Sequence, residues 1–150
     1  MKPSPLRLDL AAYPYLTEIE PRFGDMDPLR HLNNVALAGI YEEGRVRFGL
    51  SVNDSYIHHK GQRLVIAEVN IRYLAEGHYP GALTVAAGVI RVGNSAYVLG
   101  QALFQAGHCI GVCDTVLVYT ADHRPHPLPD GFKAALLGKM ILGEAGSAAQ

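Results

Sequence analysis

Between Arg22 and Asn34 the chain reads RFGDMDPLRHLNN, placing two carboxylates, a histidine and two side-chain amides just ahead of a helical pattern. A helix start offers unpaired backbone N–H groups and the positive end of the helix dipole, both of which favour developing negative charge. A carboxylate beside them can act as base or nucleophile on whatever they polarise. Asp25 and Asp27 are the two candidates. The same residue types also cap turns, so a purely structural role for Asp25, Asp27 and the asparagines stays open on composition alone. His31 can orient a leaving group or a water, or simply bond to the loop backbone. Asn33 reads first as a helix cap and only second as a substrate contact.

The element that must position these groups begins at Asn33–Asn34, either of which can cap it. Leu37, Ile40, Tyr41, Gly44 and Phe48 follow at helical spacing, and the first two turns, VALAGIY, are apolar nearly all round. Such a helix is expected to be buried. Its small residues Ala36, Ala38, Gly39 and Gly44 would let another element wrap closely around it. Ahead of it, Tyr15 to Phe23 carries weak strand patterning after a loose, proline-rich start. From Leu64 the period becomes two: Val69, Ile71 and Tyr73 face one way, Glu68, Asn70 and Arg72 the other.

Ala82–Val92 and Ser95–Ala106 are joined by Gly93-Asn94, a hairpin pair, and Gly107-His108 leads into Cys109–Thr120. Pro125, Pro127 and Pro129 end the strands, and Phe132–Leu142 reads as a short amphipathic helix. The order strand, buried helix, four-stranded meander, short helix predicts an α+β domain whose antiparallel sheet packs on one central helix.

With 13 Lys and Arg against 14 Asp and Glu, the net charge of -1 sets aside electrostatic binding to nucleic acid or to an anionic membrane. A chain of 150 residues suits one domain, read here as 1–142 with a flexible tail at 143–150. Charged residues make up only 18% against a usual value of about 25%, which points to a surface partly covered by another subunit. Cys109 and Cys113 are expected on one strand face about 13 Å apart, too far to pair. That fits a reduced, cytoplasmic setting, as does the run Leu8–Leu16, which Asp9 and Pro14 break before it can serve as a signal-peptide core. No stretch approaches the roughly 20 apolar residues of a membrane helix.

Other polar clusters read as structural. His58, His59 and Lys60 lack ligands at metal spacing, so no metal and no cofactor are expected. His78, His108, His123 and His126 read as turn residues, and Glu42, Glu43, Arg45 and Arg47 as ion pairs on a polar helix face.

Phe23-Gly24-Asp25-Met26-Asp27-Pro28, then His31-Leu32-Asn33-Asn34 and Tyr41-Glu42-Glu43-Gly44-Arg45, resembles the acyl-CoA thioesterase family with the hot dog fold, the group containing 4-hydroxybenzoyl-CoA thioesterase. Its members show D-x-D-x-x-G-H-V-N-N and then a helix ending in E-E-A-R. The likeness spans about residues 15–130, with Arg30 standing where the family usually has Gly and Gly44 where it usually has Ala. It implies an antiparallel five-stranded sheet wrapped around a central helix, an acyl-CoA substrate, and a homodimer or homotetramer. It also implies Asp27 as the catalytic carboxylate, attacking the thioester or activating water, with the Asn34 amide as oxyanion donor. Asp25 is then structural, and Arg91 and Arg72 are candidates for the CoA nucleotide. Two other functions share this pattern: a hot dog enoyl-CoA hydratase, whose G-D-x-N-P-L-H signature is off by one residue here, and a non-catalytic acyl-CoA binding module.

Overall fold

The computed structural model describes residues 2–53 and 61–143. The loop with His58, His59 and Lys60 lies outside them, as does the expected tail beyond Gly143. The ordered elements are β1 (Tyr15–Ile19), α1 (Asn34–Val52), β2 (Gln62–Tyr73), β3 (Leu83–Val92), β4 (Ala96–Gln105), β5 (His108–Ala121), the two-residue β6 (Arg124–Pro125) and α2 (Asp130–Leu137). The sheet is antiparallel, in the order β1-β3-β4-β5-β2, with β6 added to β5, and it curls around α1 as expected.

α1 starts where the sequence places it. Asn33 is extended, at φ -67° and ψ 141°, and its side-chain oxygen accepts the Val35 N–H at 2.7 Å. The stripe Leu37, Ile40, Tyr41, Gly44 and Phe48 is buried against the concave face of the sheet. Burial all round the first turns does not occur: Val35 stays 73% exposed, because the sheet reaches only one side of the helix. Arg45 also departs from expectation. It comes within 3.8 Å of Glu42, as the i,i+3 spacing suggests, but it is buried rather than on the polar face and donates to the Thr115 hydroxyl at 3.4 Å, while Arg47 and Glu43 pair on the surface at 3.0 Å.

The meander holds three strands, not four. β3, β4 and β5 follow one another through tight turns, with Ala106 and Gly107 both left-handed as a two-residue turn requires. β2 instead crosses the sheet and pairs with the far side of β5, from Gln62↔Ala121 to Tyr73↔Gly111. The nine residues after Tyr73 form the connection that returns the chain to β3.

The cysteines do not share a face. A bulge shifts the register between Leu103↔Gly111 and Phe104↔Cys109, so one residue more on β5 opposes β4 there. Cys113 joins the cluster beneath α1 with Leu37, Tyr41 and Leu103, while Cys109 packs on the convex side with Phe104 and Tyr13.

The convex face is covered by the chain's own ends. The start of the chain is not loose: turns at Pro5–Leu8 and Leu10–Ala12 lay Ala12 and Tyr13 onto Ala86, Ala102 and Val112. Arg7 is buried there, bonding Asp114 at 2.6 Å and the Tyr13 hydroxyl at 2.9 Å. At the other end α2 is shorter than its pattern suggested. It stops at Leu137 because residues after Gly138 take up the backbone of Val89 beside a bulge in β3, at 2.7 Å and 3.0 Å, and so bury Ile141 on the convex side.

Candidate active site

A turn at Phe23–Asp25 brings the chain from β1 towards α1. Asp25 closes that turn, accepting the Arg22 N–H at 2.8 Å and the Arg22 guanidinium at 3.1 Å. Those bonds, the backbone N–H first, hold its carboxyl below the usual carboxylate range. Its carbonyl accepts the Asn33 N–H at 2.8 Å, so Asp25 is occupied in shaping the loop.

Asp27 heads a tight reversal, its N–H bonded to the His31 carbonyl at 2.9 Å and its carbonyl accepting the Arg30 N–H at 3.1 Å. Arg30 completes the reversal at φ 69°, a left-handed conformation that glycine adopts most easily. The Asp27 carboxylate turns back over the loop. Oδ1 accepts the Leu29 N–H at 2.9 Å and the His31 N–H at 3.4 Å, and Oδ2 lies 3.2 Å from His31 Nδ1. His31 Nε2 in turn faces Glu76 Oε1 at 3.8 Å. The imidazole therefore contacts the carboxylate itself and not the loop backbone. In that geometry Asp27 is fixed on one side by amides and on the other by a ring that can carry a proton.

The loop is pinned to the β2–β3 connection by the Leu32 N–H, which donates to the Gly77 carbonyl at 2.7 Å. Tyr73, at the end of β2, donates to the Asn34 carbonyl at 3.2 Å. Asp27, His31, Asn34, Leu37, Tyr73 and Glu76 thus border one cavity of about 210 Å³. The Asn34 N–H, the first of the helix, makes no hydrogen bond to a described residue. On the other side of Asp27, together with Phe23, Met26, Arg30 and Tyr79, lies a second cavity of about 540 Å³. A third, of about 670 Å³ beside His78 and His108, meets the first at Ala75 and Glu76 but contains neither Asp27 nor the helix start.

Asp27, His31, Asn33 and Asn34 are thus drawn together at the helix start. Arg72 and Arg91 are not part of that cluster. Arg72 lies 3.8 Å from Asp114 on the convex side, and Arg91 sits exposed beside the far β3–β4 hairpin. Tyr73, Glu76 and Tyr79 were missed, since only β2 pairing and the docking at Gly77 bring them to the loop. Among the described residues no group of three His, Cys, Asp or Glu side chains could hold a metal ion.

A family model described as thioesterase-like superfamily matches residues 21–136, which takes in the whole of this loop, the helix and the meander. The chain belongs to the thioesterase-like superfamily. As a thioester hydrolase of this superfamily it shares its hot dog fold with solved structures. The PA5185 protein of Pseudomonas aeruginosa strain PAO1 is 21% identical, with a TM-score of 0.80 over 88% of this chain and 95% of that one. A thioesterase of Thermus thermophilus, complexed with coenzyme A and Zn, is 23% identical, with a TM-score of 0.77 over 85% and 94% of the two chains. Slr0204, a 1,4-dihydroxy-2-naphthoyl-CoA thioesterase from Synechocystis, is 16% identical, with a TM-score of 0.73 over 81% and 94%. No curated protein matches the sequence. Within this thioesterase-like chain the two departures from the family pattern each have a place: Arg30 borders the larger Asp27 cavity, and Gly44 packs under Val85 of β3.

Proposed function

We propose that the protein hydrolyses an acyl-CoA to the free acid and CoA, with Asp27 as the reacting carboxylate. The observation that carries this reading is the shared cavity. Asp27 and Asn34, whose N–H has no partner among the described residues, border the same space at a helix start, so a thioester carbonyl seated there meets a carboxylate and an oxyanion donor together. Asp27 either attacks the carbonyl carbon, forming an acyl–Asp27 anhydride that water then cleaves to the free acid and the regenerated carboxylate, or takes a proton from the water that attacks. In both routes CoA leaves as the thiol after the tetrahedral intermediate collapses. His31, against Oδ2, orients the carboxylate and can hold a proton during the exchange. Asn33 acts through the helix cap, keeping the first turn where the donor is needed.

A panel of acyl-CoAs assayed for thiol release tests the reading. Wild type is expected to free CoA, and Asp27→Asn, which keeps size and hydrogen bonding, to lose about 100-fold to 10,000-fold in kcat. Asp25→Asn is the control with the smaller kinetic effect. A drop of less than about tenfold in Asp27→Asn removes Asp27 from the role. Loss of enoyl absorbance without thiol would indicate a hydratase, and binding without turnover a non-catalytic module.

A further inference from the structure

The cavity of about 540 Å³ on the far side of Asp27 is furnished differently from the one that holds Asn34. Phe23 stands 72% exposed at its rim and meets Tyr79 edge to face, with ring centroids 6.0 Å apart. A large aromatic residue left this open contributes nothing to the core and offers its faces to a flat, apolar group. Among the described residues Arg30 is the only cation bordering that cavity. Its guanidinium makes no hydrogen bond or ion pair with any described residue, and its backbone is held at φ 69°. A non-glycine residue kept left-handed costs roughly 1 kcal/mol or more, so the side chain is retained at a local disadvantage to folding. Asp27 borders both cavities, and the smaller one carries Glu76 where the larger carries Arg30.

We propose that this cavity receives the acyl group, and that it selects a planar acyl chain bearing an anion at its far end, which Arg30 binds while Phe23 and Tyr79 pack against the ring. The inference rests on the thioester hydrolysis proposed above. Reach favours the acyl end over the thiol carrier. The Arg30 amide is bonded to the Asp27 carbonyl at 3.1 Å and both residues border the cavity, so the guanidinium ranges over one side-chain length from a backbone position beside Asp27. That is about the length of an aryl ring and its substituent. The phosphates of a carrier are separated from its sulfur by the whole pantetheine arm, which is much longer. The carboxylate of Asp27 does not consume the cation, since amides and His31 already satisfy it.

The test compares terephthaloyl and p-toluoyl thioesters, which share the benzoyl ring and carry a carboxylate or a methyl group at its far end, each on CoA and on N-acetylcysteamine. Wild type should favour the terephthaloyl group by about tenfold or more in kcat/KM on both carriers, the scale of one charge-assisted bond. Arg30→Gly, which suits φ 69° and keeps the fold, should abolish that preference, the terephthaloyl to p-toluoyl ratio of kcat/KM falling to about one. Arg30→Lys should restore part of it. Equal use of the two acyl groups by wild type would overturn the proposal. So would a loss in Arg30→Gly confined to the CoA thioesters, which would assign Arg30 to the carrier phosphates. Calorimetric titration with free terephthalate separates this outcome from failure of the hydrolase reading. Binding about tenfold weaker in Arg30→Gly supports the Arg30 site even without turnover, and equal or absent binding in wild type overturns it.

Discussion

Asn34 N–H has no intrahelical partner, so proline at that position removes a donor without removing a helix bond. Proline also requires its predecessor to be extended, and Asn33 already is, at φ -67° and ψ 141°. Asn34→Pro is therefore expected to fold and to lose about 100-fold to 1,000-fold in kcat, whereas Asn34→Ala, which retains the N–H, should stay within a few-fold of wild type. Equal kcat in the two variants, with circular dichroism unchanged, would remove the amide from the mechanism. At this scale much of the site was legible in the sequence. Asp27, His31, Asn33 and Asn34 are neighbours in the chain, and a reversal followed by a helix start brings them together through local bonds alone. Tyr73, Glu76 and Tyr79 had no such local signal. Their place depends on a backbone bond from Leu32 to Gly77, 45 residues along the chain.

At the scale of the elements, the helix and sheet are fitted to each other at one narrow point. A Cβ built on Gly44 of α1 falls 2.5 Å from Val85 Cγ1 on β3, closer than side chains tolerate. Gly44→Ala gains up to about 1 kcal/mol of helix propensity, but the overlap typically costs about 1–3 kcal/mol. A net loss of stability is expected. Truncating the opposing side chain should reverse it: Gly44→Ala with Val85→Ala is predicted to be more stable than the sum of the two single changes, as read from urea midpoints. Strictly additive effects would show that the contact does not set the helix position. The sequence marked the helix stripe and Gly44 as a place of close approach. It did not mark Arg45 as buried or the cysteines as parted, because both follow from a partner strand: Thr115 of β5 receives Arg45, and the β5 bulge opposite Leu103 and Phe104 turns Cys109 outwards.

For the molecule as a whole, the strand that closes the sheet is the most open part of it. β2 is bonded to β5 along one edge over 12 residues, and α1 covers its concave side only in part, through Leu64, Ile71 and the Tyr73 hydroxyl, leaving Ile66, Val69 and the rest of Tyr73 at 44%, 44% and 48% exposure. An apolar edge strand this long is expected to pair with a second copy of the chain. It adjoins the Asp27 cavity through Tyr73. Light scattering after gel filtration is therefore expected to give at least twice the chain mass of 16.2 kDa, with Ile66→Glu plus Val69→Glu giving a folded monomer of reduced activity. A wild-type monomer that is fully active would disprove the association. Period, caps and turn residues determined the helix, the strands and the loop of Asp27, since each of these depends on neighbours a few residues apart. Only the tertiary structure decided that β2 crosses to β5, that Arg7 and Ile141 cover the convex face, and that Asp27 stands between two unlike cavities. Those outcomes depend on hydrogen bonds and burial between segments far apart in the chain, where the pattern of one segment does not name its partner.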